Sequence, residues 1–110
     1  MPEKAITEGK TESRDNIIYV GNKKFTNYAM ALFTQIARKD CKEIKVVARG
    51  RFITRAIDVV EMAKRRFSEG ENKIKEVMIE TGSESFEKKE NGDKKKKITV
   101  SGIEITIIKE

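Results

Sequence analysis

Two short basic segments of the chain each follow a β-branched run and precede an amphipathic pattern. They are Gly21–Lys24 (GNKK) and Arg49–Arg51 (RGR). A glycine between a strand and a helix leaves backbone N–H groups and the positive helix end open to an anion. Lysine adds a point charge, and arginine adds a planar, bidentate donor for phosphate. The segments therefore predict phosphate binding. The alternative is two ordinary turns with solvated side chains, one of them holding an intrachain salt bridge.

A third basic group lies in segment 82–97, which we predict to be a long, flexible β-hairpin loop because Asn-Gly stands near its middle. Its lysines are Lys88, Lys89, Lys94, Lys95, Lys96 and Lys97. They predict an arm that enters a nucleic-acid groove; the alternative is a solvated loop that its acidic residues nearly neutralise. Phe86 in this loop would either stack on bases or anchor the hairpin. Arg55 stands one turn after Arg51 and should share its helical face.

Composition excludes several kinds of catalytic site. The 110 residues contain no histidine and one cysteine, Cys41, so the chain cannot build a Ser-His or Cys-His nucleophile or the usual structural zinc site. We predict no catalytic group, metal or cofactor. A single cysteine forms no intramolecular disulfide and indicates a reducing, intracellular compartment. The 24 Lys and Arg against 18 Asp and Glu, a net charge of +6, predict a polyanionic partner. No apolar run reaches the ~18 residues that a membrane span needs.

Hydrophobic periodicity predicts the order β-α-β-α-β-β. Strands are expected at 16–20, 43–49, 73–81 and 97–109, and helices at 24–39 and 52–67. Both basic turns follow strands of parallel type, so they should lie at the same end of the sheet. Ile53 and Ile57 are expected to widen the buried stripe of the second helix, and the shifted parity of the last isoleucines predicts a β-bulge at Ser101-Gly102. Residues 1–15 contain little apolar surface and are expected to be disordered.

The chain from about Asn16 to Lys109 resembles the Alba family of small basic DNA/RNA-binding proteins. The matching segments are Val20–Lys24, Asn27-Tyr28, Ala48–Arg51, Ala56–Asp58, Val60-Glu61, Arg66-Phe67 and Val100–Ile105. The resemblance implies an α+β, two-layer sandwich like the C-terminal domain of translation initiation factor 3. Such a fold has a mixed four-stranded sheet, two helices on one face and a long hairpin between the last two strands. Residues 16–110 would form this Alba-like nucleic-acid-binding domain.

The same resemblance implies a homodimer, or a heterodimer with an Alba paralogue, that binds double-stranded DNA and RNA with little sequence preference. The expected roles are chromatin organisation, RNA binding and translational control, in the nucleus or on the chromosome and in the cytoplasm. The implied nucleic-acid-binding residues are Lys23, Lys24, Asn27, Tyr28, Arg49, Arg51, Arg55 and the hairpin lysines named above. The hairpins would follow the minor groove, and Phe67 matches the family's contact between dimers.

The first turn departs from the archaeal pattern of the family, which is Gly-Lys-Lys-Pro. Here Asn22 stands at the first lysine and Lys24 at the proline, so Lys23 is the better match for an acetylation site and for a deacetylase acting on it. Two other functions stay open. One is an RNA-binding subunit of a ribonuclease P/MRP-like complex; the other is cleavage at abasic DNA sites through a lysine Schiff base.

Overall fold

The computed structural model describes residues 16–90, 92 and 94–110, and their side chains except those of residues 88–90 and 94. Its helices and strands are β1 (Ile17–Tyr19), α1 (Phe25–Ala37), β2 (Glu43–Arg49), α2 (Ile53–Arg66), β3 (Ile74–Glu90) and β4 (Lys94–Lys109), with a 3₁₀ turn at Gly50–Phe52. This order confirms the predicted α+β class. The predicted disorder of residues 1–15 falls outside the described residues. No helix in the described part is long and apolar enough to cross a membrane.

The four strands form one mixed sheet in the order β1-β2-β4-β3. β1 and β2 are parallel, with Ile18 beside Val46, and the other two pairs are antiparallel. Because α1 follows β1 and α2 follows β2, both helices start at the carboxyl end of these parallel strands. β4 runs the other way, so Gly102 lies beside Arg49 at that same end. We call this end of the sheet the basic end, because both basic turns lie there.

The core lies between the two helices and the inner face of the sheet. Its largest fully buried side chains are Ile18, Leu32, Ile36, Ile44, Val46, Val59, Ile105 and Ile107. Each contributes about 1.5–3 kcal/mol through removal of its surface from water. On α2, Ala56 and Ala63 are fully buried, and their small side chains let the helix pack close to the sheet. Strict alternation in β2 and the 3–4 spacing in α1 place this core where the sequence predicts it.

The segment predicted as a hairpin loop is a continuation of two strands, so that prediction was wrong. β3 and β4 stay paired from Gly82 and Gly102 outward to Glu90 and Lys94. Gly92 adopts a φ of +65° in the turn between them. A strand is predicted from sequence by the apolar residues of its buried face. This two-stranded ribbon covers no core, so its sequence has the composition of a loop. We call residues 83–101 the arm. Its first strand extends about 24 Å from Ser83 to Glu90 at the usual rise of a strand.

Two smaller predictions also fail. The β3–β4 ladder is regular through Ser101 and Gly102, and its irregularity lies between Ile74 and Glu76 instead. In β4, the residues before Gly102 lie outside the part of the sheet that the helices cover. Ile98 and Val100 therefore need not point to the same face as the buried isoleucines. Ile57 does not widen the buried stripe of α2, because its side chain is 40% exposed.

Candidate nucleic-acid interface

The first basic turn is held in shape by Tyr28. The backbone N–H of Lys23 donates a hydrogen bond to the Tyr28 hydroxyl at 2.8 Å, and the Tyr28 side chain is buried. Lys23, Lys24 and Asn27 are exposed. Tyr28, one of the predicted binding residues, therefore shapes the turn from below, while the two lysine side chains project into solvent.

The second basic turn depends on a glycine. Gly50 adopts a φ of +57°, a conformation that side chains disfavour. The turn leads into Phe52, whose ring lies under two guanidinium groups: the Cζ atoms of Arg51 and Arg55 are 4.8 and 6.0 Å from its centroid. Arg51 is exposed. Stacking on Phe52 restrains the Arg51 side chain at the surface, where it can bind an anion.

Arg55 joins the two turns. Its Nη1 donates hydrogen bonds to the carbonyl oxygens of Gly21 at 2.9 Å and Lys23 at 2.8 Å. The sequence predicts Arg55 as a phosphate ligand beside Arg51; the structure shows it tying the first turn to α2. Nothing in the local sequence pattern marks this contact, because its two partners belong to a different strand-to-helix connection.

Both helices begin without acidic residues or side-chain caps among the described residues. Lys24 caps α1 and Phe52 caps α2, and neither side chain bonds the first turn of its helix. The positive ends of both helix dipoles thus face the basic end of the sheet. This adds a favourable potential for anions to that of the exposed side chains.

The foot of the arm lies against the second turn. Arg49 forms an ion pair with Glu84 of the arm, and a Cβ on Gly50 would lie 3.5 Å from Cγ1 of Val100. Farther out, Lys95, Lys96 and Lys97 are exposed, and Lys95 lies 3.8 Å from Glu87. The side chains of the remaining predicted arm lysines, Lys88, Lys89 and Lys94, lie outside the described residues.

The Glu84 carboxylate is paired with the Arg49 guanidinium. Replacing Glu84 should leave Arg49 free to bind an anion and so strengthen anion binding. We expect Glu84→Gln to raise the affinity for duplex DNA about two- to fivefold, because a half-exposed ion pair is worth up to about 1 kcal/mol. Fluorescence anisotropy titration measures the change. Glu61→Gln is the matched control, since it frees Lys64, 3.0 Å away on α2. An equal rise in both variants would show that only net charge matters.

Phe67 lies apart from the basic turns, at the other end of α2. Its ring packs edge-to-face on Phe33, with centroids 5.9 Å apart. The Arg66 guanidinium lies 5.2 Å from the Phe33 centroid and 6.0 Å from that of Phe67. The structure therefore does not bring the predicted dimer–dimer residue together with the lysine and arginine side chains of the two basic turns.

Lys109 is a buried cation that the sequence reading missed. Its side chain is only 6% exposed, and its Nζ donates to the Ile36 carbonyl at 2.6 Å, the Arg38 carbonyl at 2.7 Å and Asn72 Oδ1 at 3.2 Å. Burial lowers the pKa of its ammonium group. One signal was available: Lys109 continues the odd-numbered, inward-facing series of β4.

The single cysteine is not placed for chemistry. Cys41 is 2% exposed, and burial raises the pKa of its thiol, which lowers the fraction present as the reactive thiolate. Among the described residues, no group of three acidic or cysteine side chains could hold a metal ion. The basic end of the sheet is therefore the strongest candidate for a functional surface.

Comparison with known proteins places the chain in a family. A sequence model of the Alba family matches residues 16–81, which is more than half of the chain. The chain belongs to the Alba family. It is 44% identical over 95 residues to a DNA/RNA-binding protein Alba of Methanococcus maripaludis, covering 86% of this chain and 99% of the relative. A second DNA/RNA-binding protein Alba, from Methanothrix thermoacetophila, is 36% identical over 95 residues, covering 86% and 97%.

Solved Alba structures share the fold. Alba from Thermoplasma volcanium superposes with a TM-score of 0.68 at 32% identity, covering 84% of this chain and 99% of that one. ALBA1 from Trypanosoma brucei gives a TM-score of 0.54 at 24% identity, covering 86% and 68%. At that identity the second comparison concerns the fold alone. The basic turns and the base of the arm thus belong to an Alba domain.

Proposed function

We propose that this chain is a dimeric DNA- and RNA-binding protein that contacts phosphate backbones with little regard to sequence. The observation that carries the proposal is the basic end of the sheet. Two basic turns, the positive ends of two helices and the foot of a lysine-bearing arm meet there. The names of the relatives, which are DNA/RNA-binding proteins, support the same ligand class.

Sequence independence follows from the chemistry of these contacts. Lys23, Lys24 and Arg51 present cations on exposed turns, suited to phosphate oxygens that are alike at every nucleotide. Contacts to phosphate and sugar fix position and orientation but carry no direct sequence information. Shape and charge of the duplex should therefore dominate its recognition.

A second copy, or an Alba paralogue, is the partner we propose for the apolar surface away from the basic turns. Ile79 of β3 is 60% exposed and Ile57 of α2 is 40% exposed. Ile79 lies opposite Ile105, on the face of the sheet that the helices pack against. Ile57 belongs to one of those helices, α2. Pairing of two chains would bury this surface and double the number of phosphate contacts per particle.

In the cell, such a dimer would organise DNA in chromatin or bind RNA and control its translation. The exposed Lys23 is open to acetylation, which would remove a charge from the first turn, and a deacetylase would restore it. We therefore propose that acetylation of Lys23 regulates binding. We also propose that the protein acts inside the cell, on the chromosome and in the cytoplasm.

Sequence independence is tested by titrating labelled duplexes of unrelated sequence and one RNA duplex, with the oligomeric state followed by analytical ultracentrifugation. We expect DNA affinities within a few-fold of one another and a dimer in the free protein. A preference of about 10³-fold for one DNA sequence, the lower end of the range for specific binders, would contradict the proposal. A monomer at all concentrations would contradict the dimer alone.

A further inference from the structure

The sheet has an outer face that neither helix covers. The helices pack on the side of Ile44, Val46 and Ile105, and side chains alternate across a strand, so the residues between these point to the opposite side. Strand pairing sets them in three rows: Glu43, Ile108 and Glu76; Ile17, Lys45, Thr106 and Met78; and Tyr19, Val47, Glu104 and Glu80. We call the residues of these three rows the outer face. Lys75 lies in the irregular step of β3, outside the rows.

The outer face carries apolar side chains that solvent exposure alone does not favour. The solvated face of a half-covered sheet is commonly polar, yet this one includes Ile17, Tyr19, Val47, Met78 and Ile108. Met78 is 46% exposed, and the other four are partly exposed. Because both helices lie on the opposite side, no described helix or strand covers this surface. It is therefore accessible to another molecule.

The outer face is acidic although the chain is basic. Its one lysine and four glutamates give a net charge of 1 − 4 = −3, against +6 for the whole chain. Glu104 pairs with Lys45 at 3.1 Å. Hydrogen bonding to Glu104, together with the nearby charges of Glu43 and Glu80, raises the pKa of the Lys45 ammonium group. Three carboxylates thus lie around one cation, and among the described side chains no cation forms an ion pair with Glu43, Glu76 or Glu80.

Three residues of β3 give this face a spacing that a ligand can match. Glu76, Met78 and Glu80 are every second residue of the strand, and the two glutamates lie about 13 Å apart along it. In an extended segment, residues i, i+2 and i+4 point to one side with the same spacing. A cation, an apolar residue and a second cation at these positions would therefore lie over Glu76, Met78 and Glu80 in turn.

A basic protein segment fits this surface better than other ligands. Carboxylates repel the phosphates of nucleic acids, and no group of acidic side chains in the described residues could hold a metal ion. We propose that the outer face binds an extended, lysine- or arginine-rich segment of another protein, with a cation, an apolar residue and a cation at every second position. This goes beyond the proposed function, because none of the residues that we propose for phosphate binding belongs to the outer face.

The test titrates a fluorescein-labelled peptide that repeats Lys-Ser-Leu-Ser, in the absence of nucleic acid, and follows its anisotropy. We expect Glu76→Gln/Glu80→Gln to bind this peptide about tenfold more weakly than the unsubstituted chain, because each exposed ion pair contributes up to about fivefold. Glu69→Gln/Glu71→Gln is the matched control, since it makes the same charge change at exposed residues before β3. It should bind the peptide as the unsubstituted chain does.

The apolar contact has its own variants and its own peptide. Met78→Ala should bind about fivefold more weakly, the size expected when half of a methionine side chain is no longer buried. Met30→Ala truncates a side chain that is 59% exposed on α1, and its peptide affinity should not change. A peptide that repeats Lys-Leu-Ser-Ser has the same composition, but its lysines and leucines lie on opposite sides of an extended chain. It should bind several-fold more weakly.

Several results would overturn the proposal. Equal peptide affinity in the unsubstituted chain and in Glu76→Gln/Glu80→Gln would do so, as would equal affinity for the two peptides. Displacement of the peptide by spermine at the same concentration of cationic groups would show that the outer face attracts any polycation. Dissociation of a dimer in Glu76→Gln/Glu80→Gln would assign the face to contact between copies of the chain.

DNA titration of the same variants separates this proposal from the proposed function. Duplex binding that persists in Glu76→Gln/Glu80→Gln, while peptide binding is lost, would support two separate surfaces. Failure of the unsubstituted chain to bind DNA, with peptide binding retained, would contradict the proposed function alone.

Discussion

The double variant Lys23→Glu/Arg51→Glu is expected to bind duplex DNA at least about 10³-fold more weakly than the unsubstituted dimer at ~0.1 M salt. Each phosphate contact releases about 0.9 counterion, which is worth roughly eightfold in affinity at that concentration. The variant removes two such contacts per chain, hence four per dimer, and places carboxylates where phosphates would lie. The loss should be similar for all DNA sequences, because both side chains are placed to meet the backbone.

A salt series is the measurement that identifies the cause. If a dimer makes roughly 6–10 phosphate contacts, the affinity of the unsubstituted protein should fall about 10³–10⁵-fold between 50 and 200 mM salt, and the double variant should show a shallower slope. The control is Lys39→Glu/Lys42→Glu, which makes the same charge change at exposed residues where α1 ends and β2 begins, opposite the basic end. Equal losses in the two double variants would show that net charge alone determines binding.

The variant Lys109→Met is expected to lower the free energy of unfolding by about 2–3 kcal/mol, because it leaves buried carbonyl groups without a donor. In the structure the Lys109 ammonium binds the Ile36 and Arg38 carbonyls at 2.6 and 2.7 Å, at the end of α1. Methionine has a similar volume, so a cavity is not the cause of the loss. For a domain of this size the melting temperature should fall by roughly 10 °C or more.

Chemical denaturation followed by circular dichroism measures this loss, and DNA titration of the folded variant serves as the second readout. Lys42→Met is the matched control, since Lys42 is exposed and its side chain should contribute little. Binding by folded Lys109→Met should be nearly unchanged, because Lys109 lies away from the basic end. Unchanged stability would mean that water can replace the ammonium group at the end of α1.

The elements that cover the core could be read from the sequence. β2 has the predicted bounds, 43–49, because its alternation places Ile44, Val46 and Ala48 on one fully buried face. The helices end within two residues of their predicted bounds, since apolar spacing at three and four residues follows from packing on one side. Such patterns arise wherever a position must be apolar because it is buried. The local sequence was therefore enough to predict β2 and the two helices.

The arm could not be read in this way. Its pairing from Ser83 to Glu90 depends on a partner strand rather than on burial, and the cross-strand bond between Ser85 and Thr99 leaves no hydrophobic pattern in either strand. Phe86 was left with two interpretations, base stacking or anchoring, for the same reason. Whether the Phe86 ring is covered or exposed depends on its cross-strand neighbour, Ile98. That neighbour is set by the pairing of β3 with β4 and not by the local sequence.

The sequence by itself determined the chemistry of this protein: a basic, histidine-free domain whose cations stand around glycines between strands and helices. It also carried the resemblance to the Alba family, which the comparisons confirmed. Only the tertiary structure decided which cations act together. The sequence already predicted that Lys23 and Arg51 share one end of the sheet, and β1 and β2 do pair in parallel; the structure adds that Arg55 ties their turns together and that Lys109 is buried. Residue type determines which groups a side chain can bind, but strand pairing and burial determine which groups it contacts.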